Sequence, residues 1–276
     1  MSPKAFKAAV LGSPIEHSLS PTLHSTAYKA IGFAGEYGRF ELVEDQLSNF
    51  LNGQGAEYSG FSLTMPLKHE AFLQASHHDS SSIMTKACNT LIASPSGWQG
   101  YNTDVIGFIN AFKRVGIKHV DDVLVIGAGA TARSAIAAVS EMGATYIRVM
   151  ARRESAVEEI KEQFPDVEIS AIAWQTTLPE CTYVINTAPA AATSDMKFAR
   201  KTSALFDVIY APWPTKLALT AEENDVLVLG GLELLVAQAV EQVILMTRCD
   251  ESLRDNIYSV MYEAGFKEQA LRSARN

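Results

Sequence analysis

The sequence predicts an α/β fold in two domains, and three observations carry that reading. Short apolar runs alternate with segments of helical periodicity along most of the chain, the pattern of a mostly parallel sheet covered by helices. Residues 121–153, DDVLVIGAGATARSAIAAVSEMGATYIRVMARR, read as strand, tight glycine turn, helix and second strand, which is a complete βαβ unit. At 276 residues, 47% hydrophobic and 20% charged, the chain suits one large or two medium globular domains, each able to bury a core.

In chain order, FKAAVL at 6–11 is a buried strand that ends in Gly12-Ser13-Pro14. His17-Ser18-Leu19-Ser20-Pro21 then precedes Leu23, Ala27 and Ile31 on one helical face, with Gly32 as the stop. Ser20 before Pro21 predicts an N-cap followed by proline at the first helical position. The competing reading is that Ser18 and Ser20, two hydroxyls beside a helix N-terminus, receive a carboxylate; Ser18 has no capping duty of its own. EYGRFELV at 36–43 is a second strand, 44–51 a short helix closed by Asn52-Gly53, and 58–64 a third strand. That strand runs into Met65-Pro66-Leu67-Lys68, and Ala71, Phe72 and Ala75 predict a helix with Lys68 in its first turn. The helix dipole disfavours a cation there. Either the lysine is thereby prepared for proton transfer, or it is an ordinary solvated lysine.

His77-His78-Asp79 resembles a metal cluster only superficially, because adjacent side chains diverge and Ser80-Ser81-Ser82 marks a loop and the next helix start; it reads as solvated surface. His17, His24, His69 and His119 show no ligand spacing, so no metal is expected. ACNTLIA at 87–93 and the return at 98–103 form a hairpin about 94–97. Asn102-Thr103-Asp104 leads into a helix carrying Ile106, Ile109, Ala111 and Phe112, for which Asp104 reads as the N-cap. Gly116 ends this helix, close to the boundary between the domains.

In the βαβ unit, Gly127 makes the turn, Gly129 lets the backbone approach a pyrophosphate, and Ala132 is small enough for close packing of helix on strand. With Ala128, Ala130 and Thr131 between them, these residues form a dinucleotide-binding fingerprint of Rossmann type, the phosphates sitting at the helix N-terminus. Where a ribose-binding acid would indicate NAD, the chain has Ala151-Arg152-Arg153. Two guanidiniums suit a 2′-phosphate, so NADP is expected. The alternative is a solvated pair of arginines, and Glu154 next door keeps NAD open.

A helix at 155–164 turns Val157, Ile160 and Phe164 inward, and short strands follow at 168–172, 183–186, 204–209 and 226–229. The strand ends Asn186-Thr187-Ala188-Pro189 and Asp207-Val208-Ile209-Tyr210 fall on the carboxyl edge, beside the cofactor. A long helix starts near Gly231 and carries Leu234, Leu235, Gln238, Ala239, Gln242 and Val243. With Arg254–Phe266 it is expected to return to the first domain and bring Gln238 to a cleft. The expected division is 1–105, completed by 236–276, and 106–235.

Several classes are excluded. The net charge of −8 and the lack of a lysine or arginine cluster argue against nucleic acid. No apolar run has membrane-spanning length and the N-terminus lacks a cleavable signal pattern, so a cytoplasmic protein is expected. Cys88, Cys181 and Cys249 are too widely spaced for a disulfide framework or a zinc site, in keeping with a reducing compartment. No Gly-x-Ser-x-Gly elbow of a serine hydrolase is present.

Taken together, HSLSP at 17–21, GFSLTMPLK at 60–68, ACNTLI at 87–92, YNTD at 101–104, GAGATA at 127–132, INTAP at 185–189, DVIYAPWPT at 207–215 and GGLELLVAQA at 230–239 resemble the shikimate dehydrogenase family over nearly the whole chain. The resemblance implies an N-terminal substrate-binding catalytic domain and a Rossmann-like cofactor domain. It also implies that Lys68 and Asp104 form the catalytic pair and that Ser18 and Ser20 bind the substrate carboxylate. Thr64, Asn89, Tyr210 and Gln238 match the family's other substrate-contacting positions. The implied reaction is reversible, NADP-dependent reduction of 3-dehydroshikimate to shikimate, by a monomer or homodimer. Ala130 stands where a third glycine is usual, Ala151-Arg152-Arg153 keeps only the first arginine of the usual asparagine-arginine-threonine, and Glu233 and Leu234 replace a common glycine and methionine near the nicotinamide. The rival expectations are a quinate or quinate/shikimate dehydrogenase using NAD, against which Ser20 speaks, and a catalytically silent sensor, against which Lys68 and Asp104 speak.

Overall fold

The structure, a computed structural model, describes residues 5–199 and 201–273. The chain divides into two compact units: the described residues up to Thr103 with Val236–Glu268, and Asp104–Leu235 with the described residues from Gln269 onward. No helix among the described residues is long and apolar enough to cross a membrane.

The first unit contains β1 (Phe6–Gly12), α1 (Ser20–Ala30), β2 (Gly35–Glu41), α2 (Leu47–Asn52), β3 (Gly60–Leu63), α3 (Lys68–Gln74), β4 (His77–His78), α4 (Ser80–Thr85), β5 (Thr90–Ser94) and β6 (Gly97–Tyr101). Among the described residues its sheet has six strands in the order β2-β1-β3-β5-β6-β4. β1 pairs in parallel with β2 and β3, while β5 runs antiparallel to both β3 and β6. Ser62 of β3 faces Thr90 of β5, and Thr90 faces Tyr101 of β6. The carboxyl ends of β1, β3 and β6 therefore share one sheet edge with the start of β5. One face of the sheet, through Ala9, Leu11, Phe61, Leu63 and Leu91, packs with Leu47 and Phe50 of α2 and with Leu67 and Ala71. On α1, the Tyr28 ring lies edge-on to Phe6 and Phe33.

Two local expectations are corrected here. The α1 N-cap is Leu19, not Ser20, which is the first helical residue. Ser18 takes part of the capping work, its Oγ accepting the Ser20 N–H at 3.3 Å. His77-His78 is a two-residue strand parallel to Gln99-Gly100; His77 is exposed, as a solvated surface requires, while His78 is half-buried with its Nε2 2.8 Å from the Phe72 carbonyl oxygen. Asp79 is the N-cap of α4, accepting from Ser82 N–H at 2.7 Å.

The second unit holds most of α5 (Thr103–Arg114), then β7 (Asp122–Ile126), α6 (Ala130–Glu141), β8 (Tyr146–Met150), α7 (Glu154–Gln163), β9 (Glu168–Ile172), β10 (Tyr183–Asn186), β11 (Ala204–Asp207), α8 (Lys216–Glu223), β12 (Leu227–Leu229) and the start of α9 (Gly231–Thr247). A last helix, α10 (Arg254–Ser273), follows α9. Among the described residues this sheet runs β12-β11-β10-β7-β8-β9, every pair parallel. The chain winds outward in both directions from β7 and β10, so the crevice beyond their carboxyl ends is the topological switch point of a doubly wound fold. Small residues allow the tight layer: Ala132, Ala135 and Val139 of α6 are fully buried with Val123 and Val125 of β7. α8, which periodicity did not announce, begins where Thr215 Oγ1 accepts the Ala218 N–H at 3.0 Å.

Candidate active site

In the second unit, the loop after β7 and the loop after β10 meet at the switch point. Gly127 has φ +109°, and a Cβ there would stand 2.3 Å from Thr187 Oγ1, so only glycine lets the two loops close together. Thr187 in turn donates its hydroxyl to the Ile126 carbonyl at 2.8 Å, holding the second loop against β7. Gly129 is the N-cap of α6 without a side-chain cap, and a Cβ on it would meet nothing within 4 Å. The first N–H groups of a twelve-residue helix thus face open space with no carboxylate in the first turn. That is the electrostatics a pyrophosphate requires.

A cleft of about 500 Å³ lies over this loop, lined by Gly127, Ala128, Gly129, Ala151, Arg152, Arg153, Thr187 and Ala188. Of the predicted cofactor residues, Ala130 and Thr131 open α6 behind that lining. Both arginines are exposed at the end of β8, placing guanidiniums where a 2′-phosphate would be read. The donor set fits a phosphorylated dinucleotide. The lining also includes Trp174, which sequence reasoning missed: it follows β9 in a loop with no periodic or motif signal.

The carboxyl ends of β10 and β11 are tied by a buried carboxylate. Asn186 Nδ2 donates to Asp207 Oδ1 at 2.9 Å, and Thr215 Oγ1 donates to Asp207 Oδ2 at 2.6 Å. Burial pushes the Asp207 carboxyl above its ordinary range, against the pull of Thr215, Asn186 and the Ile209 N–H. Asn186 Oδ1 also accepts the Ala188 N–H at 3.0 Å, so this cluster shapes the loop that lines the cleft. Tyr210 follows on the β11 side; burial raises its phenol pKa, and its carbonyl accepts from Gln269 Nε2 at 2.6 Å. Gly231 and Leu234 sit in the first turn of α9 rather than in the lining of the cleft. A Cβ on Gly231 would stand 2.4 Å from the Val208 carbonyl oxygen, so this glycine serves the approach of α9 to the β11 loop. Glu233 folds back on its own helix, its Oε2 accepting the Gly230 N–H at 3.0 Å, which is one half of a capping box.

In the first unit Thr64, Lys68, Asn89 and Gln238 gather at the sheet edge described above, and Asp104 is the residue with which the second unit begins. Thr64 leaves β3, and its carbonyl accepts the Leu67 N–H at 2.9 Å in the turn that launches α3. Lys68 is the first residue of that helix, and its carbonyl accepts the Cys88 N–H at 2.8 Å, which draws it beside Asn89. Asn89 is 2% exposed and Gln238 7%, and Asn89 Nδ2 donates to Gln238 Oε1 at 3.3 Å. Asn89 Oδ1 accepts the Thr103 N–H at 2.9 Å, which ties in the carboxyl end of β6. Asp104, 5% exposed, lies in the first turn of α5 rather than at its N-cap, since the helix already begins at Thr103. Ser20 is buried and Ser18 half-buried at the start of α1. Sequence reasoning passed over Thr103, His24 and Gln242, all buried at this edge. His24 is stacked on Tyr37 with ring centroids 3.9 Å apart, and burial lowers its pKa to about 3. Its signal was the α1 face Ser20, His24, Ala27, Tyr28, at helical spacing.

A parallel sheet whose switch point carries an uncapped helix N-terminus and a guanidinium rim belongs to a dinucleotide-dependent oxidoreductase. Comparison narrows that class. A sequence profile of the shikimate dehydrogenase substrate binding domain matches residues 10–91, and one of shikimate / quinate 5-dehydrogenase matches residues 111–195. The shikimate dehydrogenase (NADP(+)) of Exiguobacterium sibiricum is 32% identical over 241 residues, 84% of this chain and 89% of that protein. A 164-residue stretch, 58% of this chain, is 39% identical to part of the pentafunctional AROM polypeptide of Candida tropicalis, covering 10% of that polypeptide. The crystal structure of Thermus thermophilus shikimate 5-dehydrogenase in complex with NADP(H) and shikimate superposes with a TM-score of 0.80 at 26% identity, covering 95% of this chain and 99% of that one. The chain belongs to the shikimate dehydrogenase family.

Proposed function

We propose that this chain is an NADP-dependent shikimate dehydrogenase that interconverts shikimate and 3-dehydroshikimate. The observation that carries the reading is full-length likeness: relatives named for that activity are matched across both units, and the residues that would perform it lie at the sheet edges where such folds bind ligands. The first unit is the substrate-binding catalytic part and the second the cofactor part.

In this reading Ser18 and Ser20 hold the substrate carboxylate at the start of α1, and Thr64, Asn89, Gln238 and Tyr210 hold the ring hydroxyls. Lys68 takes the proton of the reacting hydroxyl as shikimate is oxidised and returns it to the carbonyl oxygen in the reverse direction. An ammonium within hydrogen-bond reach also stabilises the charge that develops on that oxygen. Asp104 orients the lysine and accepts from a substrate hydroxyl. NADP, when bound, accepts or supplies the hydride. Gly127, Ala128, Gly129, Ala130 and Thr131 cradle its pyrophosphate, Arg152 and Arg153 its 2′-phosphate, and Thr187, Ala188, Gly231 and Leu234 surround its reactive end. The enzyme acts in the cytoplasm as a monomer or homodimer; three free thiols support a reducing setting.

A matrix of initial rates with shikimate or quinate, each with NADP or NAD, tests the reading. The fastest turnover is expected with shikimate and NADP. Faster turnover with quinate and NAD would replace the assignment by a quinate dehydrogenase, a substrate that the second sequence profile also names. No turnover in any combination would leave a sensor.

A further inference from the structure

Behind Asn89 and Gln238, a chain of buried hydrogen bonds has its direction set by backbone groups that cannot change roles. Gln242 Nε2 lies 3.2 Å from the Asn89 carbonyl oxygen, and a carbonyl only accepts, so the amino end of Gln242 must face it. The same Nε2 donates to Thr90 Oγ1 at 3.0 Å, and the Thr90 hydroxyl passes its hydrogen to Asn89 Oδ1 at 2.9 Å. The Thr103 N–H, which only donates, meets the same Oδ1. Thr103 Oγ1 also lies 3.1 Å from that Oδ1, and Asn89 Nδ2 faces Thr103 Oγ1 at 3.0 Å and Gln238 Oε1 at 3.3 Å. The oxygen of Gln238 thus points toward Asn89, and its amino end points away from it.

The far side of Gln242 is fixed with the same sense. Its Oε1 accepts from Ser62 Oγ at 2.7 Å, and Ser62 accepts from the Tyr37 hydroxyl at 2.6 Å. His24 Nε2 is 3.2 Å from that Oε1 and must carry the proton, which leaves Nδ1 buried without a hydrogen-bond partner. Such a group is tolerated only where its neighbours are strongly determined.

We propose that Gln242 is a positioning residue for substrate: it braces the Asn89 amide, through the Asn89 carbonyl and through Thr90, in the sense that the Thr103 N–H also demands, and through Asn89 it holds Gln238 so that Gln238 offers N–H donors to a substrate oxygen. This rests on the reading of Asn89 and Gln238 as substrate-binding residues. Gln242 touches no substrate itself.

The test pairs kinetics with spectroscopy. Gln242→Leu is expected to raise the shikimate KM about 10-fold, with kcat and the NADP KM within about 2-fold. In a Gln238→Ala background the same change should move the shikimate KM by less than about 2-fold, because the group it acts through is gone. An unchanged shikimate KM, or the full effect in both backgrounds, overturns the proposal. Gln242→Glu is the near-isosteric second variant should the leucine protein fail to fold; a carboxylate lacks the N–H groups for Asn89 and Thr90, so it should raise the KM likewise. Independently of substrate, the side-chain amide NMR signals of Asn89 and Gln238, assigned from their alanine variants, should shift in Gln242→Glu, while those of Asn52 and Asn224, bonded elsewhere, stay put. Wild-type enzyme inactive on shikimate would sink the proposed function, and the amide signals would still decide the positioning role; unmoved signals and KM in an active enzyme would sink the positioning role alone.

Discussion

The two units build their sites in opposite ways. At the sheet edge of the first, every predicted contact is a side chain, and the important ones are held largely by other buried side chains: Asn89 by the hydroxyls of Thr90 and Thr103, Gln238 by Asn89. At the switch point of the second, the site is made largely of what is missing: Gly127, Ala128, Gly129 and Ala188 contribute backbone and leave room. The first should therefore be damaged by removing atoms and the second by adding them. Specificity for a small polyhydroxylated acid needs fixed donors and acceptors, whereas a pyrophosphate needs only exposed N–H groups and space.

The strongest challenge to this contrast is Lys68→Ala. Removing the ammonium should lower turnover by about 10³-fold, within the range for loss of a general acid or base, while the Kd for NADPH, read by fluorescence titration, stays within about 2-fold. Turnover near that of wild type would strip Lys68 of its role.

The converse experiment adds atoms. Gly127→Val places a branched Cβ at φ +109°, against Thr187 Oγ1, and should weaken NADPH binding by about 10-fold or more and lower stability by about 1–3 kcal/mol, with little change in the shikimate KM. Gly129→Ala separates the two effects. Its Cβ meets nothing within 4 Å in the protein, so the unliganded melting temperature should hold while NADPH affinity falls. Unchanged affinity would mean that the space above Gly129 is not where the cofactor lies.

The same contrast governs what could be read in the sequence. The second unit is local: the sequence places strands at Glu168–Ile172 and Tyr183–Asn186 to the residue, and the glycine loop with its βαβ context points to the cofactor cleft. The apolar Val208 and Ile209 extend the expected strand 204–209 two residues past its end at Asp207, whose carboxylate accepts the Ile209 N–H and turns the chain. Lys68 and Asn89 of the first unit, and Asp104 where the second begins, surface through resemblance, while the residues that hold Asn89 do not. Ser62 and Gln242 are 180 positions apart, and His24 and Gln242 218 apart. No window of sequence contains such a bond, and a buried glutamine on a helix looks like a solvated one. His77-His78 was missed for another reason, since two polar residues carry no alternation from which a strand can be recognised.

Acid stability probes the buried polar side more gently. His24 has an ordinary pKa of 6.5 in the unfolded chain and about 3 in the fold, where burial excludes the charged form. Below pH 6.5 the unfolded chain takes up a proton that the folded chain refuses. The stability associated with neutral His24 is therefore fully present above 6.5 and is lost as pH falls toward 3, by about 1.4 kcal/mol per pH unit. Urea unfolding at pH 7 and pH 4.5 should differ by roughly 2–3 kcal/mol from this residue alone. His24→Phe, which keeps a ring against Tyr37, should remove that part of the slope; a variant with the wild-type slope would place the proton uptake elsewhere.

The smallest effect concerns Glu233, the one carboxylate that departs from the family pattern near the expected nicotinamide. If it served the cofactor, the nicotinamide end of the site would depend on a side chain, as the 2′-phosphate end does on Arg152 and Arg153. Its Oε2 instead accepts the Gly230 N–H from the third position of α9, and a Cβ on Gly230 would stand 2.8 Å from the Trp213 ring, so this turn is closed by its own groups. Glu233→Ala should cost about 1 kcal/mol of stability, the usual worth of a helix cap, with the NADP KM within about 2-fold. Glu233→Gln keeps an oxygen acceptor and should recover most of the loss. A variant of unchanged stability whose NADP KM moves by 10-fold would reverse the assignment, and the contrast between a side-chain site and a backbone site would then hold only for the pyrophosphate end of the cleft.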